Sequence, residues 1–596
     1  MSDGVAVRQS GIEDYLDVDG LIDLPPGSTL LSNFERNIAE FGSTAAYRYL
    51  DFTRDDDGVA IELSWDELNT RMRAIGARLQ QVTARGDRVA ILAPQGLDYV
   101  IGFFAAIQAG NIAVPLFAPE LPGHAERLDA VLADATPSVI LTTDGAAESV
   151  NAFLRKLPRA RRPRVIAIDA VPDAVGATFV PAALDTDDLA YLQYTSGSTR
   201  TPAGVQITHR AACTNVLQMI LAGGLDMDIR SVSWLPLYHD MGLIMILFPR
   251  PRRWIKQLAT ESAYGRVFAA APNFAFDLAA QRGLPPAGET WDLSNVAGLL
   301  NGSEPVTIAA IEKFTDAFAP YGFPPSAIKP SYGMAEATLS VATIGIQDRP
   351  SVIYLDREQL AEDRAVPVSA EAPTAVPHVS CGQVIASQWL VIVDPRTGAE
   401  LPEGEIGEIW LHGDNIGAGY WGRPRETAST FHNRLHSRLD NNSHATGTAE
   451  DSRWLRTGDL GVYLNNNLYV TGRIKDLIII DGRNHYPQDI EATASQASPA
   501  VRSGYVAAFP VAANQLAEAA IADTSERLVI VAERAPGSGR VEQAPVIEAI
   551  RAAISRTHAL PVADIRLVAA GAIPRTTSGK LARRACQTEY LAGMYR

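Results

Sequence analysis

The feature that most constrains this chain is a repeated alternation between residues 64 and 169. Amphipathic helical stretches there take turns with apolar runs too short to be helices. The stretch "SWDELNTRMRAIGARLQQV" opens with Ser64 and Glu67 at capping-box spacing. It then places Leu68, Met72, Ile75 and Leu79 on one helical face. The run "RVAILAP" from Arg88 reads as a buried strand, followed by a helical stretch around residues 99–109 and "IAVPLF" from Ile112. A helix near residues 128–133, "SVILTT" from Ser138 and "RVIAID" from Arg164 continue the series. Short strands that are apolar throughout must be covered on both faces. The expected fold class is therefore α/β, with a largely parallel sheet between helices. Ligands of such sheets bind beyond the carboxyl ends of the strands.

The chain has 596 residues, too many for one core, so more than one domain is expected. After about Pro373 the pattern changes. Residues 389–413, "WLVIVDPRTGAELPEGEIGEIWLHG", read as strands joined by Pro/Gly turns, and a small β-rich subdomain is expected over about 380–474. Residues 438–453 are polar and turn-rich, as in a surface loop. From Gly472 strand and helix patterns start afresh ("LIII", "GYVAAFPV", "RLVIVAE", "APVIEAIRAAIS"), which reads as a separate α+β domain of about 120 residues. The expected division is 1–474 and 475–596.

Charge and cysteines exclude several functions. With 68 acidic and 52 basic residues the net charge is -16, which repels polyanions and argues against nucleic acid as a partner. The basic run "RKLPRARRPR" (155–164) reads as a solvated loop before a strand. Cys213, Cys381 and Cys586 fit no metal or redox spacing, and a reducing compartment suits them. The first twenty residues carry neither a basic n-region nor an apolar h-region. No apolar run approaches the roughly 20 residues that span a bilayer. A cytoplasmic protein without a transmembrane segment is the expectation.

The run "YLQYTSGSTRTPAGVQITH" (191–209) gathers Thr195, Ser196, Gly197, Ser198 and Thr199, whose hydroxyls and N–H groups could wrap a phosphate. It lacks the G-x-x-x-x-G-K-[ST] spacing, and by composition alone it could equally be an ordinary Ser/Thr-rich turn. Other segments add chemistry. "WLPLYHDMGLI" sets His239 and Asp240 among aromatic and apolar residues. "LNGSEPV" carries Ser303, and "KPSYGMAEAT" carries Glu336, a carboxylate suited to a hard cation such as Mg²⁺. "WLRTGDLG" offers Asp459 as an acceptor for two ribose hydroxyls. "GRIKDLIIIDGRNHYPQDIE" and "PRTTSGKLARR", with Lys580, complete the set. Read alone, Lys580 could be an exposed tail lysine among Arg575, Arg583 and Arg584.

Taken together and in this order, these segments resemble the ANL superfamily of adenylate-forming enzymes, and among them the fatty acyl-AMP ligases of mycobacterial type. The resemblance covers nearly the whole chain. It implies that Thr195 to Thr199 cover the β- and γ-phosphates of ATP, and that Ser303, Tyr332, Gly333 and Met334 border the adenine and α-phosphate. It implies Glu336 on Mg²⁺, Asp459 on the ribose with Arg473 assisting, and His239 near the acyl carboxylate. Asp476 matches the hinge of a mobile C-terminal domain, and Lys580 the lysine of the adenylation step. Asp240 is expected to be a structural partner only.

Three features favour the acyl-AMP ligases over acyl-CoA synthetases. "STRTPAGV" has Arg200 and Ala203 where the synthetases tend to have Gly and Lys. Residues 343–383 are long enough to hold the ligases' insertion, and "DGRNHYPQDIE" is their form of the hinge-region motif. The resemblance thus implies fatty acid, ATP and Mg²⁺ as reactants and cofactor. It also implies transfer to the phosphopantetheine thiol of an acyl carrier domain of a polyketide synthase. An acyl-CoA synthetase is the alternative. One departure keeps a non-catalytic nucleotide-binding homologue open as well. Between "HDMGLI" and "PRRWIKQLA" the chain has only "MILFPRP" (245–251), where the family usually has a longer segment.

Overall fold

The helix Trp65–Gln80 forms as its sequence predicts. Ser64 accepts from the Glu67 N–H and Glu67 accepts from the Ser64 N–H. Leu68, Met72, Ile75 and Leu79 are buried together. The computed structural model describes residues 11–53, 55, 58–119, 125–195, 202–225, 229–244, 251–516, 525–576 and 579–595, without the side chains of 244, 251 and 252. The "MILFPRP" segment therefore lies outside the described residues apart from the backbone of its last residue. So do Ser196, Gly197, Ser198 and Thr199 of the phosphate loop.

The short apolar runs build one sheet in the order Arg164–Ala167, Val139–Thr142, Arg88–Ile91, Ile112–Pro115, Leu189–Tyr194, Gly204–Thr208. All pairs are parallel except the last, a hairpin through the phosphate loop. A second sheet runs Gln383–Val384, Ser340–Thr343, Ile328–Gly333, Val296–Gly302, Val267–Pro272, Arg230–Ser231. Its central strands are parallel, while Ser340–Thr343 is antiparallel to both neighbours. Helices Asn273–Arg282 and Ile308–Phe318 cover it through Phe276, Phe314 and Phe318, against Trp254. The expected β-rich region is an antiparallel sheet of Gln388–Val393, Gly407–Gly413, Leu455–Leu464 and Asn467–Arg473. The polar stretch 438–453 holds no helix and no strand. It is nevertheless fixed, because the buried Glu400 carboxylate accepts from the Leu439 and His444 N–H groups and the Ser443 hydroxyl.

The C-terminal part has its own core. Strands Val501–Ala512, Glu526–Arg534 and Val562–Val568 pack against helices Pro487–Gln496 and Gln543–His558 through Ile490, Leu528, Ile530, Ile550 and Ile554. The fold is thus α/β with a C-terminal α+β domain, as the sequence predicts. Within 343–383 the chain forms the hairpin Val352–Asp356 and Ala375–Val379, bridged by the short helix Arg357–Leu360. This hairpin grips the following domain. Leu355, Leu360 and Val376 pack with Tyr486, the Asn484 amide donates to Asp363 at 2.8 Å, and Arg357 donates to the Thr557 carbonyl at 3.3 Å.

Asp489, at the start of helix Pro487–Gln496, lies in this contact. Burial pushes its carboxyl up to about 7, with Arg357 opposing and Glu491 adding to the shift. A carboxyl whose pKa is raised on folding stabilises the fold fully below its unfolded value of about 3.9 and loses that contribution as pH climbs through about 7. Asp489→Asn, which is neutral at every pH, should therefore raise the melting temperature more at pH 8 than at pH 5. Equal shifts at the two pH values, read by differential scanning calorimetry, would contradict this.

Candidate active site

Strand ends of both sheets carry several of the predicted residues. Leu189–Tyr194 delivers Thr195, Val296–Gly302 delivers Ser303, and Ile328–Gly333 delivers Met334 and the turn that holds Glu336. The buried Gln193 ties the first sheet to the second by donating to the Tyr238 carbonyl at 3.1 Å, next to His239. Two turns are strained. Ser303 and Thr338 have φ of 70° and 67°, a region that residues with a Cβ seldom occupy and that gathers at functional sites. Gly333 admits no side chain, since a Cβ there would lie 2.0 Å from the Leu339 carbonyl oxygen.

The two ends of the phosphate loop are each held by an arginine. Arg127, on helix Ala125–Ala135, donates to the Thr195 carbonyl at 2.5 Å, and Arg423 donates to the Pro202 carbonyl at 2.7 Å. Asp134 links these supports, accepting from the Tyr194 hydroxyl at 2.7 Å and from Arg423 at 3.1 Å. The segment before Arg423 runs beside strand Gly204–Thr208 through Ala418, Tyr420 and Trp421, and the Gly417 N–H donates to the Glu336 carbonyl. Tyr420 then donates its hydroxyl to the Glu336 carboxylate at 2.8 Å.

Asp459 is buried on strand Leu455–Leu464. One carboxylate oxygen pairs with Arg473 at 2.8 Å and the other accepts from the Tyr332 hydroxyl at 2.8 Å. Tyr332 and Arg473, read separately in the sequence, are thus partners of the same carboxylate. Each carboxylate oxygen keeps a second lone pair for a ribose hydroxyl. Asp459 also raises the pKa of the Arg473 guanidinium, against the effect of burial.

His239 Nδ1 contacts Asp240 Oδ1. Burial opposes the charge on Asp240. His239, Lys580 and the Met241 N–H outweigh it and hold the carboxyl at about 2. Lys580 is partly buried here, in a turn where its N–H donates to the Thr576 hydroxyl and its carbonyl accepts from the Thr576 N–H. Burial lowers the Lys580 pKa. Asp240, Asp459 and Glu304 pull it up, while Arg473 pushes it down. Lys580 is therefore not the solvated tail lysine that its arginine neighbours suggest, but a cation facing three carboxylates.

Four residues that the sequence did not single out as site residues belong to this cleft: Arg127, Tyr420, Glu304 and Asp240. Arg127 and Tyr420 lie in an ordinary amphipathic helix and a Gly/aromatic turn, with nothing in their spacing to mark them. Glu304 accepts from the Phe274 N–H at 2.7 Å beside the Lys580 turn. Asp240, expected to be a structural partner, pairs with His239 and also feels the charge of Lys580. Among the described residues no three His, Cys, Asp or Glu side chains gather as a metal cage. Glu336 alone suits a Mg²⁺ ion that keeps waters and substrate phosphates as its other ligands.

A family model described as AMP-binding enzyme matches residues 34–421. The long-chain-fatty-acid–AMP ligase FadD32 of Mycolicibacterium smegmatis is 52% identical, over 97% of this chain and 96% of that one. The crystal structure of fatty acid AMP ligase from Legionella pneumophila superposes with a TM-score of 0.69 at 30% identity, covering 96% of this chain and 97% of its own. A fatty acyl-adenylate ligase from L. pneumophila, solved with acyl adenylate and pyrophosphate, has a TM-score of 0.68 at 29% identity and covers 95% and 96%.

Asp240→Asn keeps the shape but removes the charge that faces His239 and Lys580. It should slow turnover by about tenfold or more, roughly 1.4 kcal/mol or more in the barrier, and leave nucleotide affinity unchanged. Steady-state kinetics beside nucleotide titration calorimetry would check this.

Proposed function

Because this chain belongs to the AMP-binding enzymes, in their fatty acyl-AMP ligase branch, we propose that it activates a long-chain fatty acid with ATP to an acyl-adenylate, releasing pyrophosphate. The observation that carries this reading is the position of Lys580, a cation brought from the C-terminal domain into a cleft of the larger domain. A fatty carboxylate is a weak nucleophile, and the polyphosphate repels it. In this reading the ammonium of Lys580 bridges the attacking carboxylate oxygen and the α-phosphate. One bond forms from that oxygen to the α-phosphorus as the bond to the β-phosphate oxygen breaks. The lysine then stabilises charge that develops only during transfer. Asp240 keeps that charge on Lys580 and orients His239 toward the acyl carboxylate.

The remaining residues divide the nucleotide among them. Thr195, with Ser196, Gly197, Ser198 and Thr199, covers the β- and γ-phosphates on a loop whose ends Arg127 and Arg423 fix. Ser303, Tyr332, Gly333 and Met334 line the adenine and α-phosphate, and Asp459 with Arg473 holds the ribose. Glu336, oriented by Tyr420, would hold Mg²⁺, which when bound neutralises phosphate oxygens. Residues 1–474 and 475–596 are then the two domains, turning at Asp476. The acceptor is the phosphopantetheine thiol of an acyl carrier domain of a polyketide synthase. The hairpin contacts at Asp363 and Arg357 support that acceptor over free CoA, because they restrain the rotation that CoA use requires. Among the described residues no helix is long and apolar enough to cross a membrane. A cytoplasmic site of action fits that observation.

Lys580→Ala should abolish acyl-adenylate formation, a loss of about a hundredfold or more by analogy with removing one transition-state donor. ATP should still bind, as read by titration calorimetry. Parent rates from this variant would refute the assignment. Asp363→Ala combined with Arg357→Ala should loosen the hairpin's grip and raise acyl-CoA formation above the parent's low level. A parent chain that already makes acyl-CoA efficiently would overturn the choice of acceptor.

A further inference from the structure

Three residues beyond Lys580 the chain begins its last helix, Arg583–Leu591, and Arg583 is half-buried at its start. The guanidinium donates to both oxygens of Glu491, Nε at 2.7 Å and Nη2 at 2.8 Å. Its remaining arm donates from Nη1 to Asp476 at 3.0 Å. The three side chains are only 20%, 12% and 15% exposed. Burial opposes the charge on Arg583, and the two carboxylates outweigh it, so the guanidinium holds its proton more tightly than usual. Glu491 is fixed in turn, since it accepts from the Ala508 N–H of strand Val501–Ala512 at 3.0 Å. Arg583 is thereby locked into the C-terminal core. Outside that core it holds Asp476, at the end of the 3₁₀ turn Ile474–Asp476 that follows strand Asn467–Arg473.

We infer that Arg583 is a positioning residue that fastens the Lys580 segment to Asp476 and so selects the domain arrangement in which acyl-adenylate forms. The inference rests on the assignment of Lys580 and Asp476 made above. Elementary stereochemistry gives the link its direction. Rotation about the N–Cα bond of Asp476 carries its Cβ along with the downstream chain, and the pair survives. Rotation about the Cα–C bond leaves the Cβ behind while the C-terminal core turns, and the pair must break. The Arg583–Asp476 contact therefore restrains one of the two torsions by which a hinge at Asp476 can turn. A lysine could not replace the arginine, because a single ammonium cannot hold Glu491 through two arms and Asp476 through a third.

The test uses the full chain with Arg583→Ala, Arg583→Lys and Asp476→Asn. The last leaves the Arg583–Glu491 pair intact should the first fail to fold. Two rates are compared: ATP–pyrophosphate exchange with dodecanoate, and consumption of added dodecanoyl-adenylate by pantetheine. Exchange should fall about tenfold or more in all three variants, with KM for ATP within about twofold of the parent. Consumption of the adenylate should hold or rise, so that the ratio of the two rates shifts. A purely structural role would lower both rates together, along with the melting temperature. That outcome, or an unchanged ratio in variants of an active parent, overturns this inference alone. A parent without exchange activity overturns the adenylation reading and this inference with it.

Discussion

A half-buried cation set among carboxylates, of which Asp459 is fully buried, organises this cleft. Lys580 comes from the last twenty residues of the chain, and the carboxylates that face it, Asp240, Glu304 and Asp459, come from three separate segments of the larger domain. Desolvating an ammonium or a carboxylate alone costs several kcal/mol, and each becomes tolerable in low dielectric because the other is present. His239 does most to lower the Asp240 pKa and Lys580 adds to it, while Asp240 in turn favours the charge on Lys580. The Lys580 share depends on the C-terminal domain lying against the cleft. In the proposed reaction, catalytic charge and domain position are then one property: a domain that turned away would take Lys580 out of the cleft.

The surrounding structure serves to fix that position. Tyr486, Leu355 and Val376 make an apolar contact between hairpin and domain, and Asn484 adds a hydrogen bond to Asp363. Arg583 holds Asp476 in the same connection. On the nucleotide side, Arg127 and Arg423 fix the two ends of the phosphate loop. Strand Gly204–Thr208 carries the segment that orients Tyr420 on Glu336.

Much of this was legible in the sequence, for a physical reason. Strands such as Val139–Thr142 and helices such as Trp65–Gln80 are set by local periodicity. Turns carrying Ser303 or Glu336 are contiguous, so their residues stand together in the chain. What escaped was long-range pairing of charges. Arg583 and Asp476 are 107 residues apart, and Arg423 and Asp134 are 289 apart. In sequence each of these arginines reads as a solvated surface group, and only the topology turns it inward. Asp240 shows the same limit beside a recognised motif. Its neighbour His239 drew attention, while its partner Lys580 lay at the other end of the chain.

The most direct test of the account is pyrophosphate release by the full chain with ATP, Mg²⁺ and fatty acids of graded length, measured with and without CoA. The account predicts release and acyl-adenylate accumulation with long-chain acids whether or not CoA is present. Release that requires CoA, or no release with any acid, would contradict it.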